Sequence, residues 1–539
     1  MFYIFLMLVF LIPVLAGIGT FFQKVFKIPE GGIAMTLISG IFAITTIWTI
    51  IAFFLPLNIW VEPITLIGGF ITFFYFKCYL SFWTFFKQNG KLFLGISLLT
   101  IFFGSFFPFI LDHFGYYVPT IKWISEVGLV QGISNLDLLL GQMSFWHIFQ
   151  AGFSHFTDPF LRTNVLVLVL YLFYIFEKKS WIHLIFVPFL YLFSQSPSPD
   201  LPAIVFSLII LNEIFRSNKN STYLFALSLF IFAIKPTLIW LPLFVFLYSF
   251  FILKSNYKII WGGFFVFLLF SFKNIWTFGF PIFPVQLFDL GFSWKPNVQL
   301  LQNSAEVAIQ KTYDMQYSIA EINNFSFLEY VSNWLFLPGI KGIIHSFFVL
   351  SLIIFFLLAT QRKCKLIWFL FSALLVKSIV VLVFSAQYRF FFEVFFVVLF
   401  VIFYEVSTKK NTVLVFSFLS LFFLGFLSFP NLIQRVLPSF KLSNFMMGFN
   451  KNQFYKPSYF KLEKYQTHEI GNLKFNVVQD YVFSFDTKLP AISPQFIQED
   501  LEAGIFPQQK GKTLKEGFIW RKITEAEKQK LKAIVSDFK

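Results

Sequence analysis

Apolar runs close to bilayer length, rich in Leu and Phe, recur from residue 2 to residue 429 and are separated by short charged stretches. A hydrocarbon interior offers no partners to backbone N–H and C=O groups, so such runs must satisfy them internally as helices. The pattern predicts spans over 2–21, 33–56, 61–84, 91–111, 161–176, 181–195, 200–214, 221–234, 238–253, 258–272, 344–360, 366–384, 390–406 and 411–429. That is an all-α polytopic membrane protein of about fourteen transmembrane helices. Three segments break the rhythm: 111–160, 273–343 and everything from 430 onward.

Apolar residues at helical spacing (Ile121, Ile124, Val127, Leu129), with Trp123 and Trp146 among polar neighbours, predict helices lying along the membrane surface in 111–160. In 273–343 the opening "KNIWTFGFPIFPVQLFDLGFSWKPN" is broken by Gly279, Pro281, Pro284 and Pro296. The tail, 430–539, reads as a small soluble α+β domain. "GNLKFNVVQDYVFSF" alternates like a strand, and Thr524 and Glu527 are spaced as a capping box ahead of a helix. The chain therefore divides into a transmembrane domain, 1–429, and a small C-terminal domain, 430–539. No repeat at a fixed period is evident, which counts against transporter folds built from duplicated halves.

Composition agrees with the pattern: 57% of the 539 residues are hydrophobic and 13% charged, and mean hydropathy is +0.74, outside the range of soluble domains. The net charge of +15 would suit nucleic acid on one soluble face, but here the cations lie beside the spans and speak to orientation. Lys24 and Lys27, Lys87 and Lys91, Lys178 and Lys179, Arg216 and Lys219, Lys254 and Lys258, Arg362 with Lys363 and Lys365, and Lys409 and Lys410 occupy alternate connections. The positive-inside rule puts all seven groups in the cytoplasm, and both termini, the two long loops and the tail outside. The first twenty residues lack a positive leader and a small-residue cleavage site, and read as a retained helix. Cys78 within a span and Cys364 on the inner side cannot form an external disulfide.

The stretch "FILDHFGYYVPTIKWISEVGLVQGISNL" gathers chemistry just past the fourth span. An acid at a helix end often only marks the membrane boundary. Asp112, however, is followed by His113, Tyr116, Tyr117, Lys122 and Trp123, which supply hydroxyls, a cation and a stacking surface of the kind that binds sugars. In that setting Asp112 suits a general base. Asp200 ends the turn "SQSPSPD", where Ser194, Ser196 and Ser198 either hold a polar site or merely make the turn. Lys235 in "IKPT", Lys377 inside a span and Arg389 in "SAQYRFFFE" supply cations near the outer surface. Snorkelling to the headgroups accounts for Arg389 by default. Lys377 lies roughly seven residues, ~10 Å at helical rise, from the outer end, and Glu393 is placed to pair with it or with Arg389. Together such cations could clamp a lipid-linked phosphate. No Walker A, dinucleotide, His-Glu-x-x-His or paired Cys-x-x-Cys pattern occurs. Nucleotide hydrolysis and structural zinc are thus unsupported, and only a carboxylate-bound divalent cation at Asp112 or Asp200 stays open.

"DHFGYYVPTIKWISEVGLVQGISNL" followed by "GQMSFWHIFQAGF" resembles the first outward loop of GT-C-fold integral-membrane glycosyltransferases, in particular a group of bacterial members. "SPSPDLP", "IKPT", "KNIWTFGFPIFP" and "QYRFF" follow in the same order over roughly residues 90–400, with Lys273 beside Asn274 where arginine is more usual. The resemblance implies an inverting transferase of the bacterial inner membrane that takes a sugar from a polyprenyl-phosphate carrier on the periplasmic or exterior face. The acceptor would be a glycan, lipid or protein. Asp112 would be the base, and Lys235, Lys377 or Arg389 would stabilise the departing phosphate. A transporter or flippase for a lipid-linked glycan, and a ligase or polymerase of whole glycan chains, are the alternatives. No nucleic-acid partner is expected.

Overall fold

The computed structural model describes residues 1–436, 447–462, 464–479 and 481–536. Residues 437–446, 463, 480 and 537–539, all within the C-terminal region predicted at 430–539, lie outside the described residues. Most of the described chain is helical. Six helices are long and apolar enough to cross a membrane: Phe2–Val25, Ile33–Phe54, Tyr257–Phe278, Ile340–Arg362, Lys365–Phe384 and Lys409–Ser428. The chain is a membrane protein, with fewer full-length spans among the described residues than the fourteen predicted.

Four differences contribute to this. Val61–Tyr75 and Tyr79–Gly104 form one pair bent by 75°, and the break falls at 76–78, where Lys77 adopts a left-handed backbone. The dip in hydropathy around Lys87 to Lys91, read as a loop, is instead a polar turn inside the helix Tyr79–Gly104. The predicted span 181–195 is a chain of short turns, Trp181–Ile185, Val187–Leu190 and Tyr191–Phe193, with Pro188 withholding a donor from any continuous helix. Finally, Thr163–Lys178 and Ser221–Ile234 are short helices buried on nearly all sides. A helix that is apolar all round can be surrounded by protein as well as by lipid, and pattern alone does not separate the two. By contrast Ile340–Arg362 exposes Ile343, Phe347, Leu350 and Ile353, as a lipid-facing surface does.

Close backbone approach locks the first helices together. A Cβ on Gly19 would collide with the Thr36 carbonyl and one on Gly40 with that of Leu15, so Phe2–Val25 and Ile33–Phe54 touch along their main chains. The N-terminus of Ile33–Phe54 begins at Gly32, which has no capping side chain. Glu177 takes that role from a distance, accepting from the Ile33 and Ala34 amides at 2.6 and 3.1 Å, where the helix dipole favours an anion.

The C-terminal region is a small α+β unit. Tyr465–Ile470 pairs antiparallel with Leu473–Val478, and Ile505–Gln509 with Phe518–Lys522. The helices Pro494–Glu502 and Glu525–Ser536 complete it. The predicted capping box is present: the Glu527 carboxylate accepts from the Thr524 amide at 2.9 Å and the Thr524 hydroxyl accepts from the Glu527 amide at 3.3 Å. This unit is fastened to the membrane part. Lys515 Nζ donates to the carbonyls of Ala52 and Leu129, both at 2.9 Å, the Phe518 amide donates to Gln131 at 2.9 Å, and Arg162 Nη2 donates to Ser458 at 2.6 Å.

That fastening changes the reading of 111–160. Val118–Glu126 and Phe145–Ala151 are helical, but Ile121, Trp123, Ile124 and the whole of Phe145–Ala151 are buried. They form a packed layer between the spans and the C-terminal unit rather than helices lying on a membrane. In the second segment, Phe327–Leu335 does carry an exposed apolar face through Phe327, Leu328 and Val331. The helix Ile260–Phe278 runs past the predicted boundary, so Lys273 and Asn274 lie on its last turns and not in a loop.

Candidate functional site

Four charged residues from four separate stretches meet at one end of the helices. The helix Tyr79–Gly104 is followed by an irregular turn that ends on Asp112, directly ahead of the π-helical turn His113–Tyr117. Its Oδ2 accepts from Arg389 Nη1 at 2.6 Å. Arg389 lies in the turn Tyr388–Phe390 that leads into Phe392–Phe403. Asp200 opens the helix Asp200–Phe215, and Lys235 closes Ser221–Ile234 in extended backbone. The two form an ion pair, and Lys235 Nζ also lies 3.3 Å from the Arg389 carbonyl. The Phe390 ring underlies both cations, 5.9 Å from Lys235 Nζ and 5.0 Å from the Arg389 guanidinium, within cation–π range.

The two pairs differ in how firmly they are held. Ser198 Oγ donates to Asp200 Oδ2 at 2.8 Å and accepts from the Asp200 amide at 3.2 Å, and the Asp200 and Lys235 side chains are mostly buried. Asp112 and Arg389 are more open, with 28% and 42% of their side chains exposed.

Behind the charges stand aromatic hydroxyls. Tyr116 is buried, with its ring 4.6 Å from that of Tyr117, which in turn lies 5.2 Å from the His147 ring. Burial pushes the Tyr116 phenol up, the charge of Asp112 pushes it further, and Arg389 and then Asp200 act in opposite senses. Tyr116 therefore feels the charge of both carboxylates and stays neutral. Burial and the charge of Lys273 push the His147 imidazole down to about 3, so it too stays neutral.

The remaining predicted residues sit elsewhere. Lys122 donates to the Asp486 carbonyl and lies 3.8 Å from Glu126, fastening the C-terminal unit. Trp123 is fully buried, edge-on to Phe518. His113 is buried and pushed well down by that burial and by Arg162. Lys273 is buried, and Nζ donates to the carbonyls of Gln142 and Met143 at 2.6 and 3.1 Å. Asn274 donates to Pro281 at 3.0 Å. Lys377 is fully buried and pairs with Glu393, so neither Lys273 nor Lys377 offers its charge to a ligand here. Tyr388, His147 and the pair of Lys341 with Asp314 were not singled out from sequence, although Lys341 Nζ lies 6.0 Å from the Tyr388 ring. Aromatic residues flanking the arginine in "QYRFF" were the available signal for Tyr388 and Phe390. Among the described residues, no three His, Cys, Asp or Glu side chains are grouped to hold a metal ion, and both site carboxylates turn toward cations.

The fold and site thus define a helical membrane protein with a cluster of two acids and two cations at one helix end. Residues 1–396 match the family described as Domain of unknown function (DUF8201), and the chain belongs to that family. The match takes in Asp112, Tyr116, Asp200, Lys235 and Arg389. No curated protein and no solved structure matches the chain.

Proposed function

We propose that the protein is an inverting glycosyltransferase that moves a sugar from a polyprenyl-phosphate carrier to a cell-envelope glycan, lipid or protein on the outward face of the bacterial cytoplasmic membrane. The convergence of Asp112, Asp200, Lys235 and Arg389 at one helix end supports this most. A donor that lies in the bilayer needs no nucleotide-binding loop, but it needs cations at membrane depth and a carboxylate facing the acceptor. In this reading Asp112 accepts the proton of the acceptor hydroxyl as its oxygen attacks the anomeric carbon. Arg389 and Lys235 stabilise charge gathering on the departing phosphate, and Tyr116 donates to sugar or phosphate oxygens. Lys273 and Lys377 fall to structural roles.

The test compares cell-envelope glycans by mass spectrometry in a deletion strain complemented with wild type or Asp112→Asn, with membrane insertion confirmed for both. Loss of the same sugar in the deletion and in Asp112→Asn supports the transferase and names its sugar. Full product from Asp112→Asn removes Asp112 as the base. Movement of a lipid-linked sugar across vesicles without any new glycosidic bond would favour a flippase.

A further inference from the structure

The outer ion pair has the properties of a latch. Arg389 Nη1 on Asp112 Oδ2 is the one hydrogen bond the Arg389 guanidinium makes among the described residues, which leaves most of its five-donor fork unused. Asp112 caps no helix: its carboxylate accepts nothing from the turn His113–Tyr117 that follows it. The inner pair is built differently, because Ser198 pins Asp200, and Lys235 is shared between Asp200 and the Arg389 carbonyl. The backbone of Arg389 is thus anchored through Lys235, while its guanidinium rests on the Phe390 ring and is hydrogen-bonded to one half-open carboxylate.

We propose that Asp112 occupies Arg389 in place of the ligand's phosphate, and that an arriving phosphate ester displaces it, so that donor binding itself frees the Asp112 carboxylate. A phosphate presents planar pairs of oxygens that match the guanidinium fork bidentately, which one carboxylate oxygen on one nitrogen does not. The exchange replaces one charge-assisted contact by two, and among the described residues no other side-chain hydrogen bond or ion pair of Asp112 has to break. Lys235 and the Phe390 ring stay in place and hold Arg389 for the incoming anion. The base is consequently unavailable until the leaving group is seated, which guards against attack by a misplaced acceptor. This inference rests on the phosphate-handling part of the proposed function and deepens it.

The experiment uses the full chain in nanodiscs and farnesyl phosphate, a sugar-free phosphate monoester, with binding measured by titration. Wild type, Asp112→Asn, Arg389→Gln and the double variant are compared after thermal unfolding confirms that each is folded. Lys295→Gln, which removes a half-exposed cation paired with Asp289, serves as the control for general charge effects. The expected result is several-fold tighter binding by Asp112→Asn, weaker binding by Arg389→Gln, and a double variant as weak as Arg389→Gln alone. Binding by Asp112→Asn that is unchanged or weaker overturns the proposal. So does a gain that persists without Arg389, since it would come from removal of a negative charge in general, and so does failure of all forms to bind. Because no sugar is present, the glycan comparison fails or succeeds independently: tighter binding in Asp112→Asn alongside intact glycans would remove Asp112 as the base and leave its hold on Arg389.

Discussion

Asp112 Oδ2 and Arg389 Nη1 meet at 2.6 Å although 277 positions separate them in the chain. Half-open ion pairs of this kind contribute only about 0.2–1 kcal/mol to stability. Arg389→Gln is therefore expected to lower unfolding stability by less than ~1 kcal/mol while abolishing the glycan product. Parallel thermal unfolding and glycan analysis would check this. A large loss of stability would show that the pair holds the fold and not the reaction.

The buried pair Lys377–Glu393 carries the opposite expectation. Removing one partner strands a charge among apolar helices, at about 3–5 kcal/mol, whereas replacing both with apolar side chains of similar size is often neutral. Lys377→Met should fail to accumulate or unfold early, and Lys377→Met with Glu393→Leu should recover most stability and product. An inactive but stable double variant would return Lys377 to the phosphate site.

Docking of the C-terminal unit should depend on pH. Asp137 is buried next to Leu138, a member of the apolar cluster with Phe278, Phe280 and Leu301 against which Phe496 of the helix Pro494–Glu502 packs. That burial, aided by Glu499, pushes its carboxyl up to about 8, and Asp500 across the junction is pushed well up by its own burial and by Glu499 and Asp137. The folded form of Asp137 keeps its proton while the unfolded form, near 3.8, does not. Its contribution is thus fullest at low pH, declines as pH rises from about 4 to about 8, and is flat above. Hydrogen exchange of residues 494–502, corrected for intrinsic rates, should be faster at pH 8 than at pH 6. Asp137→Asn, which can keep the 2.9 Å cap on the Leu139 amide, should reduce that difference, and the burial of Asp500 should maintain the remainder.

The last helix has the reverse sign. Hydrogen bonds from Arg521 pull the Glu527 carboxyl down to about 2, from an ordinary 4.5. The stabilisation is complete above about 4.5 and fades as pH falls toward 2. Fraying of Glu525–Ser536, followed by exchange between pH 6 and 3, should rise on acidification. Thr524→Ala should cost about 1 kcal/mol of local stability at neutral pH through loss of the cap.

Asp112, Asp200, Lys235 and Arg389 were legible because a charge beside an apolar run is rare enough to demand a reason, and the structure brings these four together. Lys377 and Lys273 met the same criterion yet are sealed inside, one by Glu393 and one by backbone carbonyls. Sequence marks a costly charge but does not say what repays it. The capping box at Thr524 was readable because its contacts span three residues. The bend at 76–78 was not, since Phe76 and Lys77 carry no Gly or Pro signal. Short buried helices such as Thr163–Lys178 imitate spans, because protein and lipid interiors select the same side chains.

Lys515 reaches back to the carbonyls of Ala52 and Leu129 across more than half the chain. A ribosome delivers those two carbonyls hundreds of residues before Lys515, and each meets an earlier partner: Ala52 accepts from the Leu129 amide at 2.8 Å and Leu129 from Trp276 Nε1 at 3.3 Å, so the helices can pack before the last strands join them. The layer that carries Tyr116 and Tyr117 is then covered in two stages, first where Phe485 packs on Phe114 and Phe483 lies beside Gly115, and last where Phe518 meets Trp123. Completion of the platform is in this sense timed by the end of the chain, and a nascent chain stalled before residue 515 would hold every charged site residue without the Lys515 and Phe518 contacts beneath Trp123 and Leu129.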